Sequence, residues 1–306
     1  MGKYVVKRLL VGAITVLALA TITFFLMHAI PGSPFAGEMS KLPAEAKQTL
    51  IESYQLDQPV YVQYLAYMKN LLHGDFGSSL VRRGTSVNSI IAEGLPYTMK
   101  LGLCAFIVAM VIGIFLGTVS AFSKKKWVKG IAAFIGTIGV SIPSFLFALF
   151  LLYVFAVWLG LLPMIGLTAP ASYVMPSLAL ALGPVAMISR LTQSSLTEEI
   201  HQDYMMLARS KGTPYGKAVW KHALKNAVIP VITYAGPLLA TLLTGSFVVE
   251  SIFSIPGIGA SFVNSVSNRD YTLIMALTIL YGSFIIIANI ICDVIIALID
   301  PRIRLK

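Results

Sequence analysis

Long apolar runs, parted by polar segments that are mostly short and basic, set the pattern of this chain. A helix rises about 1.5 Å per residue, so crossing a bilayer core takes roughly 20 apolar residues. The first run, about 9–30, follows Lys7-Arg8 and contains Ala18-Leu19-Ala20, an A-x-A pattern that resembles a signal-peptidase site. It stays apolar through Ile22, Phe24, Phe25, Leu26 and Met27. A signal h-region is only about 7–15 residues long, so the run reads as an uncleaved first span. The second span is predicted over about 97–122, before Ser123-Lys124-Lys125-Lys126. The run from Gly130 to Leu162 is long for one straight span and short for two with a loop between them. Pro143, in Ser141-Ile142-Pro143-Ser144, is expected to kink or interrupt it. Further spans are predicted over about 174–193, 227–249 and 272–297.

Charge fixes the predicted sidedness. Positive residues concentrate on the cytoplasmic flanks of spans. Lys124 to Lys129 and the basic segment after Arg190 must then share one side, so an even number of spans joins them. One bent span over 130–161 and one over 174–193 satisfy this, for a total of six with both termini inside. The loops at about 162–173 and 250–271 carry only Arg269 as a base. The segment 31–96 is nearly balanced in charge, and long segments translocate largely regardless of charge.

Composition agrees. The chain has 306 residues, 57% hydrophobic and 12% charged, with mean hydropathy +0.82. Soluble domains carry roughly a quarter charged residues, so the class is an all-α integral membrane protein. The net charge of +10 would suggest nucleic acid in a soluble protein. Here the bases flank apolar runs, and no nucleic-acid partner is expected. Cys104 and Cys292 lie inside apolar runs with no His or Cys at ligand spacing, so neither a disulfide framework nor a metal is expected. Val6 stands where a myristoylation motif needs Ser or Thr.

The organisation predicted is a first span over 1–30, a helical cap over 31–96, a five-span core over 97–297 and a tail over 298–306. In the cap, Pro43 to Ile51 reads as one helix and Val60 to Met68 as a second with a tyrosine stripe. Those tyrosines suit packing on the membrane surface or a partner contact.

No catalytic constellation emerges. Gly216-Lys217-Ala218 is not a phosphate-binding loop, no H-E-x-x-H or G-x-S-x-G occurs, and the four histidines are scattered. Arg190 and Asp293 are the ionisable residues read inside spans, both near the basic end. A proton relay would want several such groups near the midplane. Pro143, Pro176, Gly183-Pro184 and Gly236-Pro237 are helix breakers within spans. Broken backbone at membrane depth is tolerated where it lines a protected cavity, which makes Pro143, Pro176, Pro184, Gly236 and Pro237 candidate pathway or hinge positions. Gly113 and Gly117 form a GxxxG packing signal.

The segment 194–226 is the candidate for chemistry with a partner. From Leu196, the positions Ile200, Tyr204 and Leu207 form an apolar stripe against Glu198, Glu199, Asp203 and Arg209. Gly212 is expected to stop the helix as a C′ glycine. Thr213 is expected to cap a second helix with Pro214 at its first position. That helix, carrying Lys217, Trp220, Lys221 and Lys225, suits either a membrane surface or a groove on a partner.

Met206-Leu207-Ala208-Arg209-Ser210-Lys211-Gly212 resembles the E-A-A-x-x-x-G loop of ABC importer permeases, departing at the Glu. His222-Ala223-Leu224-Lys225-Asn226 with Pro230, Glu250 to Gly259, Asn268-Arg269-Asp270-Tyr271, Asp300-Pro301-Arg302 and Ile30 to Phe35 also resemble this family. The likeness covers essentially the whole chain and is to the B-type subunit of oligopeptide or dipeptide permeases. Ser33, where many dipeptide relatives have Asp, leans toward the oligopeptide branch. The resemblance implies a type I importer fold in a bacterial inner membrane and peptide as cargo. It implies a second permease subunit, an extracytoplasmic peptide-binding protein and two cytoplasmic ATPases that hold ATP and Mg. This chain would then be non-catalytic and bind no cofactor. Leu207, Ala208, Arg209, Lys211, Gly212, Thr213 and Pro214 would form the segment coupled to an ATPase. Import of another cargo (nickel, glutathione, a pheromone peptide) and a self-contained secondary transporter are the competing readings.

Overall fold

In a computed structural model, residues 2–29, 48, 57–82, 84–123, 125–167 and 169–299 are described. The Pro43–Ile51 helix apart from Gln48, the Ile30–Phe35 motif, Lys124 and Asp300-Pro301-Arg302 lie outside them. The described chain is built of helices: α1 (Gly2–Ala29), α2 (Val60–Leu72), α3 (Val87–Phe122), α4 (Lys126–Ser141), α5 (Ser144–Leu151), α6 (Val174–Ile200), α7 (Asp203–Ser210), α8 (Tyr215–Ala218), α9 (Leu224–Ala227), α10 (Ile229–Leu243), α11 (Phe247–Ile252), α12 (Ile258–Asn268) and α13 (Tyr271–Ile299). Single π-helical stretches extend α5 over Leu152–Trp158 and join α8 to α9 over Val219–Ala223.

Among the described residues, four helical stretches are long and apolar enough to cross a membrane: Val6–Ala29, Val87–Phe122, Pro170–Ile200 and Tyr271–Ile295. Two bent pairs bring the number to six if each is one span. Lys126–Ser141 and Ser144–Trp158 meet at 109°, and Tyr215–Ala227 and Ile229–Leu243 at 47°. Pro143 marks the sharper break: its extended ψ of 139° and missing N–H stop α4 and restart the chain as α5. The predicted third span is therefore two rods at a steep angle rather than one kinked helix.

α3 starts at Val87, ten residues before the predicted second span. The Ser86 side chain accepts from the Asn88 N–H and caps its first turn. Its 36 residues make a rod of about 54 Å, well beyond the roughly 30 Å hydrocarbon core. The early part is amphipathic rather than uniformly apolar. Val87, Ile90 and Ile91 are buried against Ile258, Leu273, Ala276 and Leu277. The apolar run therefore marks where the helix enters lipid, not where it begins.

Small residues let the helices approach. A Cβ at Gly113 would lie 2.7 Å from Ile188, and Gly117 faces the Ser189 carbonyl and Thr192. The GxxxG thus packs α3 onto α6, the packing predicted for it. Gly102 makes the same close approach to the Leu242 backbone of α10, and Gly139 to Leu182 and Ala186 of α6. Ala105, Ala109, Ala181, Val185, Ile188, Val231 and Leu238 fill the core between α3, α6 and α10. α1 lies against α13, where Arg8 pairs with Asp293 at 3.1 Å. The acid read as a span residue is thus held by a base from the neighbouring helix.

Candidate functional site

The elbow between α6 and α10 is assembled from short helices. α6 runs to Ile200 and breaks at His201 and Gln202, and α7 restarts at Asp203. The break resets the helical phase. Met205, not Leu207, turns inward, joining Leu196, Ala218, Val219, Ala223 and Ala227 in a buried cluster against Ala121 and Phe122. Ile200 and Tyr204 border this cluster as the sequence stripe predicts, whereas Leu207 is 56% exposed and Met206 70%.

Gly212 ends α7 at φ +81°, a conformation that favours glycine. Its N–H donates to the Arg209 carbonyl at 2.9 Å, and the Thr213 N–H to the Ala208 carbonyl at 3.1 Å. This pair of bonds is a Schellman motif, in keeping with the predicted C′ glycine. The restart differs by one residue. Pro214 occupies the N-cap, Tyr215 begins α8, and no side chain caps it. Thr213 is used by its backbone, so its hydroxyl is not needed for a cap.

The elbow is tied internally by polar contacts. The Tyr204 hydroxyl donates to Glu199, which the Asn226 amide also approaches at 3.4 Å. Burial, then the bond to Glu199, pushes the Tyr204 phenol up to about 12. The Arg209 guanidinium sits 5.7 Å from the Tyr215 ring centroid, and Tyr215 packs edge-on against Phe122. The result is a buttressed platform that presents Met206, Leu207, Lys211 and the Gly212 turn to solvent.

The far end of the bundle is built on a carboxylate that sequence reasoning missed. Glu250, in α11, is fully buried at 0% exposure. Its Oε1 accepts from the Thr98 hydroxyl of α3 at 3.0 Å, and Oε2 from the Ala260 N–H at 3.3 Å. Thr98 Oγ1 accepts in turn from the Ile258 N–H at 2.9 Å. The carboxyl thus occupies the N-terminus of α12, where the orphan N–H groups and the helix dipole favour it. No cationic side chain among the described residues pairs with it. Burial pushes its carboxyl above the usual range, opposed by these hydrogen bonds. Gly245, Gly257 and Gly259 surround it, and a Cβ at Gly259 would come within 2.9 Å of Oε2. Three glycines flanking one glutamate is a sequence signal, but only Thr98, 152 residues away, gives it meaning.

A second buried carboxylate locks the loop before α3 to this end. Asp270 caps α13 through the Leu273 N–H and accepts from Leu80 N–H at 3.1 Å and from the Ser79 hydroxyl. Arg269 before it adopts φ +58° and closes α12.

Known proteins resemble the chain over its full length. Residues 109–305 match the family described as binding-protein-dependent transport system inner membrane component, and residues 1–102 match its N-terminal region. The chain belongs to this family. It is 43% identical over 306 residues to the dipeptide transport system permease protein DppB of Bacillus subtilis, covering 100% of this chain and 99% of that one. It is 42% identical over 307 residues to the oligopeptide transport system permease protein OppB of Salmonella typhimurium, covering 99% and 100%. The fold is shared with a chain of the MetNI methionine ABC transporter, with TM-score 0.55 at 20% identity over 69% of this chain and 96% of that one. An amino acid ABC transporter gives TM-score 0.51 at 19% identity over 70% and 94%. The protein is thus a multi-pass inner membrane permease with the ABC importer permease fold.

Within this permease, the remaining candidate positions are dispersed. Pro143 stands at the α4–α5 break, Pro176 is buried in the first turn of α6, and Pro184 lies in its interior. Gly236 and Pro237 lie inside α10, where Gly236 faces Asn289 and Cys292 of α13. The structure brings Gly236 against α13, leaves Pro237 exposed, and does not gather the five into one site.

Proposed function

We propose that this permease is one of two membrane subunits of an ATP-driven importer of peptides, and that the α7–Gly212–α8 elbow docks on one of two partner ATPases. Full-length similarity to dipeptide and oligopeptide permeases supports the cargo class. The observation that carries the docking role is the exposed pair Met206 and Leu207 on a platform whose opposite face, through Met205, is buried. Apolar anchors on a rigid helix are what a groove on a partner recognises. The basic end, with Lys125, Lys126, Lys129, Lys217, Lys221 and Lys225, is then cytoplasmic, and both termini lie inside. ATP and Mg are bound and hydrolysed by the ATPases. This chain contributes half of a pathway wall and transmits their movement as alternating access. Pro143 and the Gly236-Pro237 pair are the places where the rods can flex.

The test is to tag the chain at its own locus, purify it in mild detergent and identify what accompanies it. Two P-loop ATPases, one further permease subunit and stimulation of hydrolysis by a peptide-loaded binding protein are expected. Isolation alone, with uptake abolished by a proton uncoupler at constant ATP, would replace this reading with a secondary transporter.

A further inference from the structure

A groove of about 340 Å³ opens where α3 ends, lined by Thr118, Val119, Phe122, Ser123 and Trp220. We propose that it holds the acyl chain of an anionic phospholipid of the inner leaflet, with the headgroup on the lysines at its rim. The assignment to the inner leaflet rests on the cytoplasmic placement of the basic end made above.

Depth argues for lipid. Thr118 to Phe122 form the last turn of a helix that crosses the membrane, so the groove opens where hydrocarbon meets headgroups. Its walls are apolar except for Thr118 and Ser123. Thr118 is 5% exposed, and its Oγ1 has no hydrogen-bond partner among the described residues. Trp220 stands on the π-helical turn Val219–Ala223. The residue on one side of it, Val219, is buried, while the indole itself is 65% exposed. A second exposed indole, Trp127, opens α4 at the same end. Exposed tryptophans are enriched at the membrane–water interface.

Charge argues for an anionic headgroup. Ser123 is followed in sequence by Lys124, Lys125 and Lys126, and Trp220 lies between Lys217 and Lys221; Lys125, Lys126, Lys217 and Lys221 are exposed. Neither 118–129 nor 212–227 contains an Asp or Glu. The acids facing the elbow from α6 include Glu199, which is engaged by Tyr204 and Asn226. Basic clusters beside a span attract acidic headgroups, by about fivefold in affinity per lysine.

The experiment uses the assembled transporter in nanodiscs with photoactivatable phosphatidylglycerol or phosphatidylcholine, each carrying a diazirine in its acyl chain. Cross-links should map to 118–123 and Trp220 with phosphatidylglycerol and be at least about 25-fold weaker with phosphatidylcholine, for a rim on which two or more lysines act on the headgroup. The double variant Lys125→Gln/Lys126→Gln, which changes only exposed side chains, should lower the phosphatidylglycerol yield by roughly 25-fold. Val119→Trp should fill the groove and remove the cross-links while the complex still assembles. Equal labelling by the two lipids would overturn the anionic assignment. Absent labelling, with Trp220 fluorescence shielded from iodide only when the ATPases are bound, would assign the groove to the ATPase instead. If the chain purifies without ATPases yet the phosphatidylglycerol preference holds, the lipid site stands and only the importer reading fails.

Discussion

The two ends of this permease stabilise themselves in opposite ways. At the far end, two buried carboxylates are hydrogen-bonded: Glu250 and Asp270 draw α3, α11, α12, α13 and the loop before α3 into one knot through short-range hydrogen bonds. At the basic end, helices are short, interrupted by a π turn and a left-handed glycine, and apolar side chains are left in solvent. Buried carboxylates tolerate little displacement, because an unsatisfied buried acceptor is costly. An exposed platform joined by turns can shift as a body and find its missing contacts on another chain. The difference locates rigidity at one end and, at the other, the exposed platform to which coupling is proposed.

The comparison breaks most visibly at Gly212. Proline holds φ near −65° and lacks the N–H that Gly212 donates to Arg209, so Gly212→Pro destroys the Schellman turn. Peptide uptake in vesicles should fall to background while ATP hydrolysis persists and the chain remains in the membrane. Normal uptake at normal abundance would remove the elbow from the mechanism.

At the far end, Glu250→Ala deletes two hydrogen bonds and leaves a cavity among three glycines. It should cost roughly 3 kcal/mol, read as a lowered midpoint of thermal unfolding in detergent. Glu250→Gln keeps the shape and should recover most of that loss. If both variants unfold like the parent, the knot does not hold this end together.

Adjacent methionines provide a finer contrast. Met205 is buried at 1% exposure and Met206 is exposed. Met205→Ala should destabilise by about 2–4 kcal/mol. Met206→Ala should leave stability within about 0.5 kcal/mol but weaken retention of the ATPases on purification. Identical behaviour of the two variants would contradict the two-faced platform.

The smallest effect is a pH dependence. Burial raises the folded Glu250 carboxyl above its unfolded value. Protonation therefore favours the folded knot. Its stabilising contribution is full below the unfolded value, about 4.3, and is lost as pH rises through the raised folded value. Hydrogen exchange in 253–260 should accelerate across that window, and Glu250→Gln should flatten the response. An unchanged profile in the glutamine variant would assign the dependence to another group.

Much of this architecture is legible in single stretches of sequence. The apolar runs, the break at Pro143, the GxxxG contact and the C′ role of Gly212 depend on neighbours within one turn or one helix. Backbone physics acts locally there, so local sequence suffices. The inward face of α7 was not legible, because the stop at His201–Gln202 shifts the register and exchanges Leu207 for Met205. The start of α3 was hidden as well, because amphipathic residues buried by α12 and α13 look like a cap outside the membrane. Glu250 and Asp270 read as loop acids, since their partners, Thr98 and Ser79-Leu80, lie 152 to 191 residues away. The sequence by itself determined where the chain meets lipid and where its helices stop, because solvation and φ preferences belong to individual residues. Only the tertiary structure decided which polar groups are buried and which apolar ones are exposed, because burial is a property of pairs of segments brought together by folding.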